Sequence, residues 1–126
     1  MRLFIVRHAE AAPGDPDALR SLTPAGREQA RALAERLPAA DAVLTSPLLR
    51  ARETAEAIAR AAGVTAEVEE RLAPGATAED VRASIEGRDG LVVVVGHQPD
   101  CSRIVAELTG GPEPDFRPAG HVEVEL

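Results

Sequence analysis

Two uninterrupted apolar runs dominate the hydrophobic pattern, Leu3-Phe4-Ile5-Val6 and Leu91-Val92-Val93-Val94-Val95. Runs without polar alternation predict central strands covered on both faces, here over residues 2–6 and 91–95. Residues 42–45 and a segment near 64–68 predict two more strands. The last segment, 120–126, is patterned differently. Val122, Val124 and Leu126 alternate with His121, Glu123 and Glu125, as in an edge strand with one wet face. Helical spacing fills the intervals. Thr23-Pro24 supplies a cap and a first-turn proline for a helix to about Leu37, with Ala30, Leu33, Ala34 and Leu37 turned inward. Ser46-Pro47 reads the same way, opening a helix to about Ala62 that Gly63 terminates, with Ala51, Ala55, Ile58 and Ala62 as its apolar face. Thr77 with Asp80 resembles a capping box and predicts a helix to about Glu86. A helix from Pro99 to Leu108 and a Gly110-Gly111 break precede the edge strand.

Alternation of strands with helices predicts an α/β fold: a single-domain, three-layer sandwich whose mostly parallel central sheet carries helices on both faces. The 126 residues suffice for one domain, 1–126, with one core. No repeat, low-complexity tract or linker divides them. Hydrophobic residues at 44% and charged residues at 28% describe a globular chain. Met1-Arg2 leads straight into a strand, and no apolar stretch approaches the roughly 20 residues of a bilayer span, so a cytoplasmic location is expected. The lone Cys101 precludes an internal disulfide and recurs with Ile104, Val105 and Leu108 at helical spacing, as a core residue would.

Charge narrows the partners. The net charge is −7, and all basic charge is arginine because the sequence contains no lysine. An acidic surface repels nucleic acid and anionic membranes, which excludes both as expected partners. A phosphate site on such a chain has to be a local arginine cluster, a role suited to a planar fork that grips two oxygens at once.

Both long apolar runs end in a histidine: the first in Arg7-His8-Ala9, the second in Gly96-His97-Gln98-Pro99. Open α/β sheets bind ligands outside the carboxyl ends of their strands, where helix N-termini also point, so His8 and His97 are expected to meet there. Arg50 lies in the first turns of the helix that follows the second strand, beside the same crevice. His121 falls on the wet face of the edge strand. A metal site built from His8, His97 and His121 is disfavoured, because the neighbouring arginines repel a cation.

Four segments, Arg7-His8-Ala9-Glu10, Leu22-Thr23-Pro24-Ala25-Gly26, Ser46-Pro47-Leu48-Leu49-Arg50-Ala51 and Val95-Gly96-His97-Gln98-Pro99, resemble in type and order the histidine phosphatase superfamily. Within it, the likeness is to the small phosphohistidine phosphatases of SixA type. The resemblance implies the phosphoglycerate mutase-like fold without a lid insertion. It also implies a transiently phosphorylated His8, phosphoryl oxygens held by Arg7, Arg50 and His97, and Arg20 bordering the pocket. No metal or other cofactor is implied. The expected partner is a phosphorylated protein of the histidine phosphotransfer type or a small phosphorylated substrate. A phosphatase of small phosphomonoesters and a non-catalytic phosphoryl-binding module are the alternatives. The leaving-group acid is not assigned among Glu10, Asp15, Asp17 and Glu70. A phosphorus–nitrogen substrate relaxes the need for one, because imidazole leaves more readily than an alkoxide. Ala9 stands where the wider family usually has glycine, which raises the question of a strained loop. With no lid segment and only two aromatic residues, Phe4 and Phe116, the site is expected to be open and shallow.

Overall fold

In the computed structural model, which describes residues 1–126, five strands form one sheet in the order β3-β2-β4-β1-β5. They are β1 (Arg2–Arg7), β2 (Ala42–Thr45), β3 (Ala66–Val68), β4 (Leu91–Gly96) and β5 (His121–Glu125). The first four run parallel; β5 pairs antiparallel with β1 at the edge. The two long apolar runs are the two central neighbours, β1 and β4, in register with Arg7 opposite Gly96. Each is buried on both faces because helices cover both sides.

The helices α1 (Pro24–Arg36) and α2 (Leu49–Ala62) seal one face. Leu33, Ala55 and Ile58 pack there against Phe4, Val6, Val43, Val93 and Val95. On the other face α3 (Ala78–Ile85) and α4 (Asp100–Thr109) bury Val81, Ile85, Ile104 and Val105 against Leu3, Ile5, Leu44, Val92 and Val94. Alternate residues of β1, β2 and β4 thus feed opposite cores, giving the three layers expected of an α/β chain.

Helix boundaries follow local chemistry. Thr23 Oγ1 accepts the Gly26 N–H at 2.9 Å and starts α1, and Thr77 with Asp80 forms the full capping box of α3. Gly63, with φ 74°, ends α2 in the left-handed conformation. Two expectations are corrected. Ser46 does not cap α2, which begins at Leu49 with Leu48 at the cap position; the Ser46 hydroxyl is engaged elsewhere, as described below. Leu126 is exposed rather than inward, because the strand ends at Glu125 and only Val124 of the alternating set is fully buried.

The segment 8–23 after β1 is more ordered than an unpatterned loop. It contains a 3-10 turn at Asp17–Leu19 and an isolated antiparallel bridge between Ala11 and Leu22. Gly26 packs directly on it. A Cβ at this position would lie 2.0 Å from the Glu10 carbonyl oxygen, so only glycine lets α1 approach the chain two residues beyond His8. Gly26→Ala is therefore expected to cost about 1–3 kcal/mol, the range for overpacking a filled site. That lowers the melting temperature by roughly 5–10 °C. Thermal unfolding followed by circular dichroism measures it, and an unchanged midpoint would mean that the contact yields easily.

Candidate active site

Three adjacent parallel strands, β2, β4 and β1, end together and deliver Ser46, His97 and His8 to one edge of the sheet. Backbone bonds lock the delivery: the His8 N–H donates to the Gly96 carbonyl at 3.0 Å, and the Ser46 N–H to the Val95 carbonyl at 3.1 Å. The two imidazoles, 89 positions apart in the chain, consequently sit with ring centroids 5.2 Å apart.

His8 is half-buried, and its Nδ1 lies 2.7 Å from the Ala9 carbonyl oxygen. A carbonyl only accepts, so Nδ1 carries the proton and Nε2 keeps a free lone pair. Burial holds the His8 pKa below the ordinary imidazole value, the Ala9 carbonyl bond opposes that, and the Arg50, Arg7 and Arg20 charges reinforce the lowering. The ring is thus held in its neutral form, with a fixed tautomer. Ala9 carries no strain, since its φ is not positive. Its methyl is fully buried, and its N–H donates to Thr54 Oγ1 at 3.0 Å.

Three arginines approach from different elements. Arg7 ends β1 and donates through one terminal nitrogen to the Phe116 carbonyl at 2.9 Å, leaving its buried Nε without a protein partner. Arg50 comes from the first turn of α2. It is only 7% exposed, against the usual fate of a helical arginine. Its guanidinium donates to the Asp17 backbone carbonyl at 2.9 Å and to Asp17 Oδ2 at 3.1 Å. Arg20 donates to Asp17 Oδ1 at 3.0 Å and through Nε to the Ala12 carbonyl at 2.8 Å. One carboxylate thus bridges two guanidiniums. Arg20, then Arg50, hold the Asp17 pKa below the usual carboxylate range, which makes Asp17 a poor proton donor.

His97 is 5% exposed, and its Nε2 lies 2.7 Å from Ser46 Oγ. Burial, then the neighbouring His8 and Arg50, lower its pKa to about 4, so it is neutral at ordinary pH.

Ser46, Thr54, Glu53 and the bridging role of Asp17 are the site-shaping residues that the sequence pattern did not reveal. Thr54 was within reach. It follows Arg50 by four, on the same helix face, and its hydroxyl donates to the Arg50 carbonyl at 2.9 Å. Glu53 accepts the Leu22 N–H at 2.8 Å and the Ser21 hydroxyl at 3.1 Å, tying the 8–23 segment to α2. Nothing in the local sequence distinguishes it from a solvated helix carboxylate.

Other candidates lie apart. His121 is exposed and packs on Phe4 at 5.7 Å between ring centroids. Glu10, Asp15 and Glu70 are exposed. Cys101 is buried, and that burial raises its thiol pKa to about 12. No three His, Cys, Asp or Glu side chains gather in a way that holds a metal ion. A groove of about 510 Å³ between α1 and α2 contains none of His8, His97, Arg7 and Arg50. Concavity alone would have pointed away from the histidine–arginine cluster.

The sequence model of the histidine phosphatase superfamily (branch 1) matches residues 3–74, more than half of the chain. This chain belongs to the histidine phosphatase superfamily. The structure of the protein histidine phosphatase SixA complexed with tungstate is similar over 100% of this chain and 88% of that one, with TM-score 0.88 and 32% identity. The putative phosphohistidine phosphatase SixA from Agrobacterium tumefaciens is similar at TM-score 0.73 and 28% identity, over 86% of this chain and 77% of that one. An uncharacterised protein from Picosynechococcus sp. is 38% identical over 112 residues, 79% of this chain and 68% of its own. This histidine phosphatase is accordingly of SixA type, with the phosphoglycerate mutase-like fold, and is a phosphatase. No helix in it is long and apolar enough to cross a membrane.

Proposed function

We propose that the protein removes the phosphoryl group from phosphohistidine carried on another protein, without a metal ion, through a covalent phosphoryl-His8 intermediate. The observation that carries this reading is the tautomer of His8. With Nδ1–H bonded to Ala9, Nε2 keeps its lone pair on a ring that packs beside His97 and feels the charges of Arg50, Arg7 and Arg20, a setting that suits transfer of an anionic phosphoryl group. The likeness to SixA, whose structure is complexed with the oxyanion tungstate, supports the same assignment.

The chemistry proceeds in two transfers. His8 Nε2 attacks phosphorus as the phosphorus–nitrogen bond of the substrate breaks, and the released imidazole takes up a proton from water. Water then attacks phosphoryl-His8, releasing inorganic phosphate and restoring the neutral ring. Splitting the displacement replaces one difficult step with two easier ones. Arg7, Arg50 and His97 hold the equatorial oxygens, with Arg20 at the border, and their fixed donors stabilise the charge in the transition state. Such a cluster takes the electrostatic place of a metal ion and repels a cation.

Two features favour a phosphohistidine over a phosphomonoester. All four candidate carboxylates, Glu10, Asp15, Asp17 and Glu70, are exposed, and Asp17 is in addition held ionised by Arg20 and Arg50. A labile phosphorus–nitrogen bond tolerates that lack better than an ester does. No inserted segment encloses the cluster, which suits a side chain presented by a partner protein.

Phosphate release from a phosphorylated histidine phosphotransfer domain and from a phosphomonoester panel, each with chelator present, tests the reading. Release mainly from the phosphoprotein is the expected result. Preference for a monoester moves the substrate, and dependence on added metal removes the electrostatic argument.

A pH dependence follows from the same site. An unperturbed imidazole titrates near ~6.5. Because the His8 pKa is lowered in the fold, the nucleophile stays neutral below that value and is lost only as pH falls through the lower, folded pKa. The NMR titration midpoint of His8 and the acid limb of kcat/KM are both expected below about 6.5. A midpoint above it contradicts the electrostatics described here.

A further inference from the structure

The buried Ser46 hydroxyl has a single outlet for its proton. Ser46 is fully buried, at 0% exposure, and its Oγ accepts the Leu48 N–H at 3.2 Å. Its remaining contact is His97 Nε2 at 2.7 Å. If Nε2 carried a proton, the hydroxyl hydrogen would be left buried without an acceptor, at a cost of about 1–3 kcal/mol. With the hydroxyl donating instead, Nε2 is bare and the single proton of the neutral ring lies on Nδ1. That nitrogen is itself buried and has no partner in the protein, while the ring lies beside His8. An orphaned buried donor next to a nucleophile calls for a ligand to complete it.

We propose that Ser46 is a positioning residue that fixes His97 as the Nδ1–H tautomer, so that a neutral imidazole donates a hydrogen bond to the phosphoryl group in flight. The consequence for turnover rests on the phosphatase reading; the tautomer itself does not. Strand order in the sheet supports the pairing, since β2 and β4 are neighbours and the Ser46 N–H is tied to the Val95 carbonyl, two residues before His97. A donor without a full charge has a specific use here. It strengthens as negative charge grows on the oxygen, yet it does not hold the product phosphate as a further cation would.

Long-range proton–nitrogen NMR spectra of the ligand-free protein, with His97 assigned through His97→Gln, report which ring nitrogen is protonated. The expected result is a protonated Nδ1 and a bare Nε2 in the wild type, and a mixture or the reverse in Ser46→Ala. Tungstate is then expected to shift the Nδ1 resonance. A wild-type Nε2–H tautomer overturns the proposal, whether or not Ser46→Ala folds. In kinetics, Ser46→Ala is expected to lower kcat about 10-fold with little change in KM, equivalent to about 1.4 kcal/mol of lost transition-state binding. A fall confined to KM overturns the positioning role. Absence of phosphatase activity in the wild type together with the Nδ1–H tautomer would instead fault the functional reading and leave the Ser46–His97 pairing standing.

Discussion

Replacing His8 by alanine is expected to reduce phosphate release by about 10⁴-fold or more, because it removes the proposed nucleophile. The effect should be on chemistry rather than folding. His8 is half-buried at the sheet edge, and the backbone bonds from its own N–H to Gly96 and from Ala119 N–H to its carbonyl do not need the imidazole. The melting temperature of His8→Ala should therefore stay near that of the wild type. Chemical trapping adds an independent readout. A phosphoramidate on His8 is lost in acid and survives alkali, so mixing enzyme with substrate and quenching in alkali should retain label on the wild type and none on His8→Ala. Activity that survives the substitution would require another nucleophile, and the covalent mechanism would then fail.

Arg50→Met is expected to lower kcat by about 10²–10³-fold, the usual cost of removing one preorganised donor from a developing oxyanion. Stability should move the other way or not at all. Arg50 is 7% exposed while its carboxylate partner Asp17 has a side chain 63% exposed, so the desolvation penalty falls on the arginine. An apolar side chain of similar length avoids that penalty; the Asp17 carboxylate it leaves behind is still solvated by water and Arg20, and the Asp17 carbonyl keeps the Arg20 backbone N–H at 3.2 Å. Steady-state kinetics and a thermal melt on the same preparation separate the two effects. A large fall in melting temperature alongside the lost activity would assign Arg50 to the fold instead.

His8 and Arg50 were legible for different reasons. His8 follows a short, uninterrupted apolar run that reads as a central strand, so its place at the carboxyl edge is expected from pattern. Arg50 needed the neighbouring motif as well, because helical arginines are ordinarily solvated and nothing in its own spacing signals 7% exposure. Ser46 shows how a local rule misleads. Serine before proline fits a helix cap, yet the hydroxyl serves His97, 51 positions away, because β2 and β4 are adjacent in the sheet. Asp17 was one carboxylate among several in a loop without periodicity. Its bridge between Arg20 and Arg50 depends on a 3-10 turn closing over α2.

The sequence by itself determined the layers, the strand and helix identities, and the two histidines at strand ends, because those follow from burial patterns and backbone chemistry within a few residues. Only the tertiary structure decided which ends meet. The chain passes from β1 to β2 and β3 before inserting β4 between β2 and β1, and that order sets His8, His97 and Ser46 side by side. The hydrogen bond that chooses the His97 tautomer, and the bonds from Arg50 to Asp17, are contacts between residues remote in sequence. No local propensity encodes them; they exist because closing the two cores fixes the carboxyl edge of the sheet to within a hydrogen bond's length.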